Sequence, residues 1–206
     1  MNIILQSAGK KYNREWIVRN LDYTFNAGNA YAITGPNGSG KSTLLQLIAG
    51  SIQPSAGNVY FENGDTTKIA SENIHRHLAL AAPYLELIEE MTATEFLQFH
   101  CIFKPLIKDF SIDEILEEAE LGHAAGKQIR FYSSGMKQRL KLAQAVFSDV
   151  PVLLLDEPCT NLDVKGFTLY NHLIKKYCKQ KLVIVCSNDP NEYEFCSGRI
   201  NIMDYK

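Results

Sequence analysis

Nine consecutive residues, Gly35-Pro36-Asn37-Gly38-Ser39-Gly40-Lys41-Ser42-Thr43, constrain this chain more than any other stretch. They fit the pattern of four residues between two glycines followed by Lys and Ser/Thr, which arises by chance in roughly one chain of this length per hundred at average glycine usage. The flanks supply the context that the pattern needs. Asn29-Ala30-Tyr31-Ala32-Ile33-Thr34 reads as a buried strand, and Thr43-Leu44-Leu45-Gln46-Leu47-Ile48-Ala49 as a helix. In a strand, glycine loop, helix unit, Gly38 and Gly40 let the backbone turn its N–H groups inward, and the helix start adds partial positive charge. Main-chain donors then cradle a phosphate chain. Lys41 reaches the outer phosphates, and the Ser42 hydroxyl is placed to ligate the Mg²⁺ that accompanies a nucleoside triphosphate.

At 206 residues the chain fits one large domain or a domain with a small subdomain, too short for a whole transporter. It has no run of 18 apolar residues, and Met1-Asn2-Ile3-Ile4-Leu5-Gln6 lacks the character of a signal peptide, so we expect a cytosolic protein. Lys plus Arg (21) against Asp plus Glu (23) gives a net charge of −2, which advertises neither nucleic acid nor anionic lipid as a partner. Cys101, Cys159, Cys178, Cys186 and Cys196 form no C-x-x-C pair and read as reduced, mostly buried thiols. His75 and His77 would share one face of a strand, as a surface pair.

Along the chain, residues 2–7 and 16–25 read as strands joined by a polar turn, Gly9-Lys10-Lys11-Tyr12-Asn13. After the phosphate-loop helix, Gly50 serves as C-cap, Pro54-Ser55-Ala56-Gly57 turns into a strand at 58–62, and Glu62-Asn63-Gly64-Asp65 makes a tight turn. His77–Ala82 suits a buried strand that Pro83 ends. Helical patterns follow at Thr94–Phe99 and Ile112–Ala119, separated by Pro105 and closed by Gly122. Ser133-Ser134-Gly135 starts a helix to about Phe147, and Pro151–Pro158 holds a buried strand ending in two acids. A helix at 164–180 and strands at 181–186 and 200–203 complete the chain. The expected fold is α/β: a phosphate-loop core with a mostly parallel sheet, an antiparallel flank at the N-terminus and an inserted helical subdomain. We expect the core at 1–83 and 151–206 and the subdomain at about 84–150.

Asp156, at the end of an apolar strand, is where such a core needs an acid to bind Mg²⁺, and Glu157 beside it can polarise an attacking water. Two carboxylates there would be costly without a cation. With these motifs in place, Tyr132-Ser133-Ser134-Gly135-Met136-Lys137-Gln138-Arg139-Leu140 resembles the Leu-Ser-Gly-Gly-Gln signature of ATP-binding cassette (ABC) transporters and the helix after it. Thr160-Asn161-Leu162-Asp163 resembles that family's dimer-contact loop. The resemblance covers nearly the whole chain and implies an ATP-hydrolysing nucleotide-binding subunit with ATP and Mg²⁺. Two copies would pack head to tail, Ser133, Ser134, Gly135 and Met136 of one facing the γ-phosphate held by the other. It further implies that Tyr12 stacks on adenine, that Asn161, Leu162 and Asp163 contact the second subunit, and that a separate integral membrane subunit docks beside Tyr84, Leu85, Leu87 and Ile88. The implied location is cytoplasmic, on the inner face of the membrane through that partner. Export is the expected direction, since no binding-protein feature is present.

The chain also departs from the family. No glutamine occurs between Gln53 and Gln98, so the glutamine that normally touches Mg²⁺ is replaced within Ala81-Ala82-Pro83-Tyr84-Leu85-Glu86, where Tyr84 or Glu86 could substitute. After the strand at 182–186, Cys186-Ser187-Asn188-Asp189 puts Asn188 where the family has a histidine on the γ-phosphate. Asn donates a hydrogen bond but carries no charge. Ser134 stands where glycine is usual and Met136 where glutamine is usual. These changes imply slow hydrolysis in the isolated protein, and they leave open an ATP-gated clamp, or a soluble member of the superfamily, with little turnover. A GTPase would need an Asn-Lys-x-Asp element, which is absent, and a nucleotide kinase would not account for Tyr132–Arg139.

Overall fold

The computed structural model describes residues 1–64 and 67–206. The turn expected at Glu62–Asp65 includes Asp65, which lies outside them. The chain divides into two compact units, Met1–Leu78 with Val150–Glu157 and Gln180–Lys206, and Ala79–Asp149 with Pro158–Lys179. The second unit thus takes in residues beyond the span 84–150.

The first unit carries two sheets. In the antiparallel one, β1 (Asn2–Tyr12) lies between β2 (Glu15–Phe25) and β4 (Ala56–Glu62), and the two-residue β5 (Lys68–Ile69) follows β4. The polar stretch Gly9–Tyr12 is not a turn, as its composition suggested. It continues β1, pairing Lys10 with Val18, Lys11 with Trp16 and Tyr12 with Glu15, so the turn shrinks to Asn13 and Arg14, with Asn13 at φ 52°. Polar side chains are compatible with this strand because its far end is exposed.

The other sheet holds β3 (Ala30–Thr34), β7 (Val152–Asp156), β8 (Leu182–Cys186) and β9 (Gly198–Asn201), in the order β7, β8, β3, β9 and parallel throughout. All five residues of both β7 and β8 are buried, which is why each reads as an unbroken apolar run. Register then decides what shares an edge. Ile33 and Asp156 both pair with Cys186, so Gly35, Glu157 and Ser187 all leave the same end of the sheet. The last strand ends at Asn201 rather than 203, because Asn201 caps a 3₁₀ turn over Ile202–Tyr205 through the Met203 N–H. β6 (Leu78–Ala81) starts at the last residue of one stretch of this unit and continues into the second. His75 does not share a strand with His77. It sits in a 3₁₀ turn, Ser71–Arg76, with Nδ1 2.8 Å from the Glu72 carbonyl.

In the second unit the helices begin where capping chemistry allows. Thr92 and Glu95 form a reciprocal capping box for α2 (Ala93–Phe103), and Ser111 and Glu114 do the same for α3 (Ile112–Glu118). Ser133 caps α4 (Ser134–Phe147), and Asp163 caps α5 (Val164–Tyr177), which stops three residues short of the expected 180. Phe110, Phe147 and Tyr177 form a ring cluster with centroids 4.6 to 5.4 Å apart. None of the five cysteines, all among the described residues, forms a disulfide, and only Cys178 and Cys186 are buried, while Cys101 is exposed.

His100 links α2 to α4. Gln144 donates to its Nδ1 at 2.9 Å, its Nε2 lies 2.9 Å from the Ser148 hydroxyl, and that hydroxyl donates on to the Gln144 carbonyl at 2.7 Å. This chain of bonds uses neutral imidazole. Burial, and secondarily Lys104, lowers the His100 pKa to about 4. The unfolded chain therefore binds a proton below its ordinary value near 6.5 that the native state refuses until about 4, so stability falls as pH drops through that window. Allowing for partial exposure, the loss is roughly 1–2 kcal/mol. Urea midpoints at pH 7 and pH 4.5 should separate by correspondingly less in His100→Gln than in the parent protein, and an unchanged separation would refute this assignment.

Candidate functional site

The stretch between β3 and α1 (Lys41–Ile48) is folded by its glycines. Gly35 has φ 150° and Gly40 φ 97°, and a Cβ on Gly40 would stand 2.2 Å from Ile17 Cγ2. At Gly35 it would stand 2.6 Å from Ile202 Cγ2. The loop is thus pressed between β2 and the C-terminal turn too tightly for any side chain. Its outer side is different, for among the described residues nothing beyond the chain neighbours lies within 4 Å of where a Gly38 Cβ would be. The Ser39 N–H closes the bend on the Pro36 carbonyl at 3.1 Å, and the Lys206 ammonium binds the Ser39 carbonyl at 2.6 Å.

Lys41 is 5% exposed, and its ammonium is held by the carbonyls of Gly35 at 2.9 Å and Pro36 at 3.3 Å. A charge is therefore fixed over the loop. The Ser39 hydroxyl is buried with no hydrogen-bond partner among the described residues, an exception among native polar groups that an anion's oxygen inside the loop would resolve. Helix N–H groups beginning at Lys41 add their own attraction for negative charge.

Asp156, 2% exposed at the end of β7, hydrogen-bonds the Ser42 hydroxyl. Burial pushes its carboxyl above the ordinary range. The Ser42 hydroxyl counteracts this, Glu157 adds to it, and Lys41 counteracts it again. A buried carboxylate oxygen beside a hydroxyl is a hard oxygen donor set of the kind magnesium takes, so these residues fit the ion. Among the described residues, no group of three or more His, Cys, Asp or Glu could hold a metal, so any ion here would complete its shell from other oxygens. Glu157 turns out of the strand at φ 43°, its N–H bound to the Cys186 carbonyl at 2.8 Å. Asn188, beyond β8, donates its amide to the Asn37 side-chain oxygen at 2.6 Å. Asn37, Lys41, Ser42, Asp156, Glu157 and Asn188 thus gather at one edge of the first unit. Thr43 is the next residue of α1, half-buried. Tyr12 is 48% exposed at the end of β1, its ring 5.3 Å from the Lys10 ammonium.

In the second unit, Ser133 Oγ accepts from the Met136 N–H at 3.2 Å, so its own proton is available outward, and α4 points its N-terminus the same way. A cavity of about 330 Å³ opens there, walled by Ser133, Ser134, Gly135 and Met136 on one side and Asn161, Leu162 and Asp163 on the other. A Cβ on Gly135 would come 3.2 Å from the Asn161 carbonyl, so a larger residue there would have to push that backbone outward by a few tenths of an ångström. Buried Gln138 donates to the Pro158 carbonyl at 2.7 Å, tying the helix to the segment that follows the two acids. At the missing-glutamine segment, Lys141 binds the Pro83 carbonyl at 3.0 Å, while Tyr84, Leu85 and Ile88 are exposed.

Several features had little sequence signal. Ile17 carries a strand alternation but nothing that announces contact with Gly40, and the bracing by Ile202 and Lys206 depends on a turn that hydropathy alone reads as strand. The buried Cys186 thiol donates to the Lys41 carbonyl at 3.6 Å.

A family model described as ABC transporter matches residues 18–160. The uncharacterized ABC transporter ATP-binding protein YxlF of Bacillus subtilis (strain 168) is 33% identical over 203 residues, which cover 97% of this chain and 66% of that one. This chain accordingly spans just under two thirds of that relative's length. The ABC transporter I family member 1 of Arabidopsis thaliana is 31% identical over 197 residues, covering 93% of this chain and 84% of that one. Among solved structures, a dimeric bacterial ABC transporter cassette superposes with a TM-score of 0.82 at 28% identity, covering 97% of this chain and 94% of that one. A post-hydrolysis dimer of such a cassette, bound to ADP and Pi, gives 0.81 at 27%, with the same coverage. The matched span includes the phosphate loop, the signature stretch and the paired acids, and the chain belongs to the ABC transporter family as one of its ATP-binding cassettes.

Proposed function

We propose that this chain binds and hydrolyses ATP with Mg²⁺ at the interface of two head-to-tail copies, and so drives export by a separate integral membrane subunit. The observation that carries the proposal is the corner formed by the loop-bound Lys41 and the Ser42 hydroxyl on buried Asp156. In this reading Gly35–Thr43 cradle the phosphates, Tyr12 stacks on adenine, and Glu157 orients and polarises the attacking water. Ser42 and Asp156 would hold Mg²⁺, which neutralises phosphate charge when bound. Ser133 to Met136 face the partner copy's ATP, and Asn161 to Asp163 contact that copy. Exposed Tyr84, Leu85 and Ile88, with half-buried Leu87, form the docking surface for the membrane subunit. The protein then works on the cytoplasmic face of the membrane.

A second reading, an ATP-gated clamp without turnover, draws support from Asn188. Its amide is bound to Asn37 and carries no charge. Steady-state hydrolysis by the purified protein separates the two. Glu157→Gln should lower turnover by at least about a hundredfold while ATP still binds, and Asn188→His should raise it roughly ten- to a hundredfold by restoring a charge-assisted phosphate contact. Absence of turnover in the parent and in Asn188→His alike would favour the clamp.

The glycine geometry gives an independent check on the loop. Gly40→Ala should weaken ATP binding by more than about tenfold, because the left-handed φ and the Ile17 methyl group both oppose the new Cβ. Equal ATP affinity in titration calorimetry would contradict the assignment of this loop.

A further inference from the structure

The signature cavity in the second unit is lined by Glu120, His123 and Arg139 as well as by the residues already described. Its charges are mostly committed. Arg139 pairs with Glu120 at 2.5 Å and lies 3.6 Å from Asp163, and the Asp163 carboxylate accepts the Gly166 N–H at 2.8 Å as the cap of α5. Two carboxylates and one guanidinium leave the lining about one unit negative, and the α4 N-terminus returns only about half a charge. That balance is wrong for an anion. Among the described residues, His123 has neither an ion pair nor a hydrogen bond from its side chain, and it is exposed on the 3₁₀ turn Gly122–Ala124. When protonated, its imidazole is the lining group that turns the balance positive.

We propose that His123 is a positioning residue for the terminal phosphate of the ATP held by the second copy, donating to it across the interface with the Ser133 and Ser134 hydroxyls. It restores from the signature side the imidazole donor that Asn188 lacks. The charged groups that line the cavity with His123 are Glu120 from the segment after α3, Arg139 from α4 and Asp163 from the start of α5, and all three are already paired with one another or with backbone. The inference rests on the head-to-tail arrangement proposed above.

The test uses ATP-driven dimerisation of the Glu157→Gln protein, followed by light scattering over a range of ATP concentrations at pH 6 and pH 8. The half-saturating ATP concentration should be lower at pH 6. His123→Ala should raise it about tenfold at pH 6 and flatten the difference, and His123→Lys should recover dimerisation at both pH values. ADP binding by the single copy should be the same in all of them, because His123 does not face that chain's own loop in this reading. Dimerisation with the same ATP and pH dependence in His123→Ala would overturn the role of His123 and leave the dimer intact. No ATP-driven dimer in the Glu157→Gln protein, despite bound ATP, would overturn the head-to-tail reading and this inference with it.

Discussion

A carboxylate buried at the end of a parallel strand is the constraint on which the nucleotide-facing edge depends. Asp156 is almost fully removed from water, and a charge in that position is tolerable only if nearby groups stabilise it. Ser42 and Lys41 do so from the adjoining helix start, and they can reach it only because β3 delivers the glycine loop to the same end of the sheet as β7. The Lys41 ammonium in turn is fixed by carbonyls of the loop it serves. Backbone geometry and side-chain charge are therefore one system. The glycines permit the curl, the curl presents the carbonyls, and the carbonyls hold the cation beside the acid.

The parts of this arrangement that could be read in the sequence are those with a periodic or stereochemical signature. β7 and β8 stand out because burial on both faces removes every polar residue, and the loop stands out because only glycine fits against Ile17 and Ile202. The caps Ser133 and Asp163 mark helix starts by residue type alone. What could not be read has no such signature. The polar Gly9–Tyr12 stretch belongs to a strand because β2 is there to pair with it, a long-range fact. Ile202 and Met203 look like strand residues but follow a capping asparagine into a tight turn. His123 stands in no recognised motif, and only the fold brings it to the same cavity as Ser133.

The departures from the family pattern fall where physical chemistry makes them inexpensive. Lys41 and Asp156, which keep the expected identities, are buried, as is Gln138, and each satisfies or is satisfied by groups that a substitution would strand. Removing such a partner costs about 1–3 kcal/mol in unmet hydrogen bonding alone. Asn188 and Tyr84, at altered positions, are exposed and lie off the ends of regular elements, and Ser134 is exposed at the first residue of α4, so their replacement leaves the sheet and the helices undisturbed. Folding therefore holds the buried groups of the phosphate loop and its acid far more strictly than the exposed groups proposed to meet the outermost phosphate from other loops. Under that asymmetry, the contacts that set turnover can drift while the cassette stays intact, and a loss on one side can be met by a gain on another exposed turn, as at Asn188 and His123 in the arrangement proposed above.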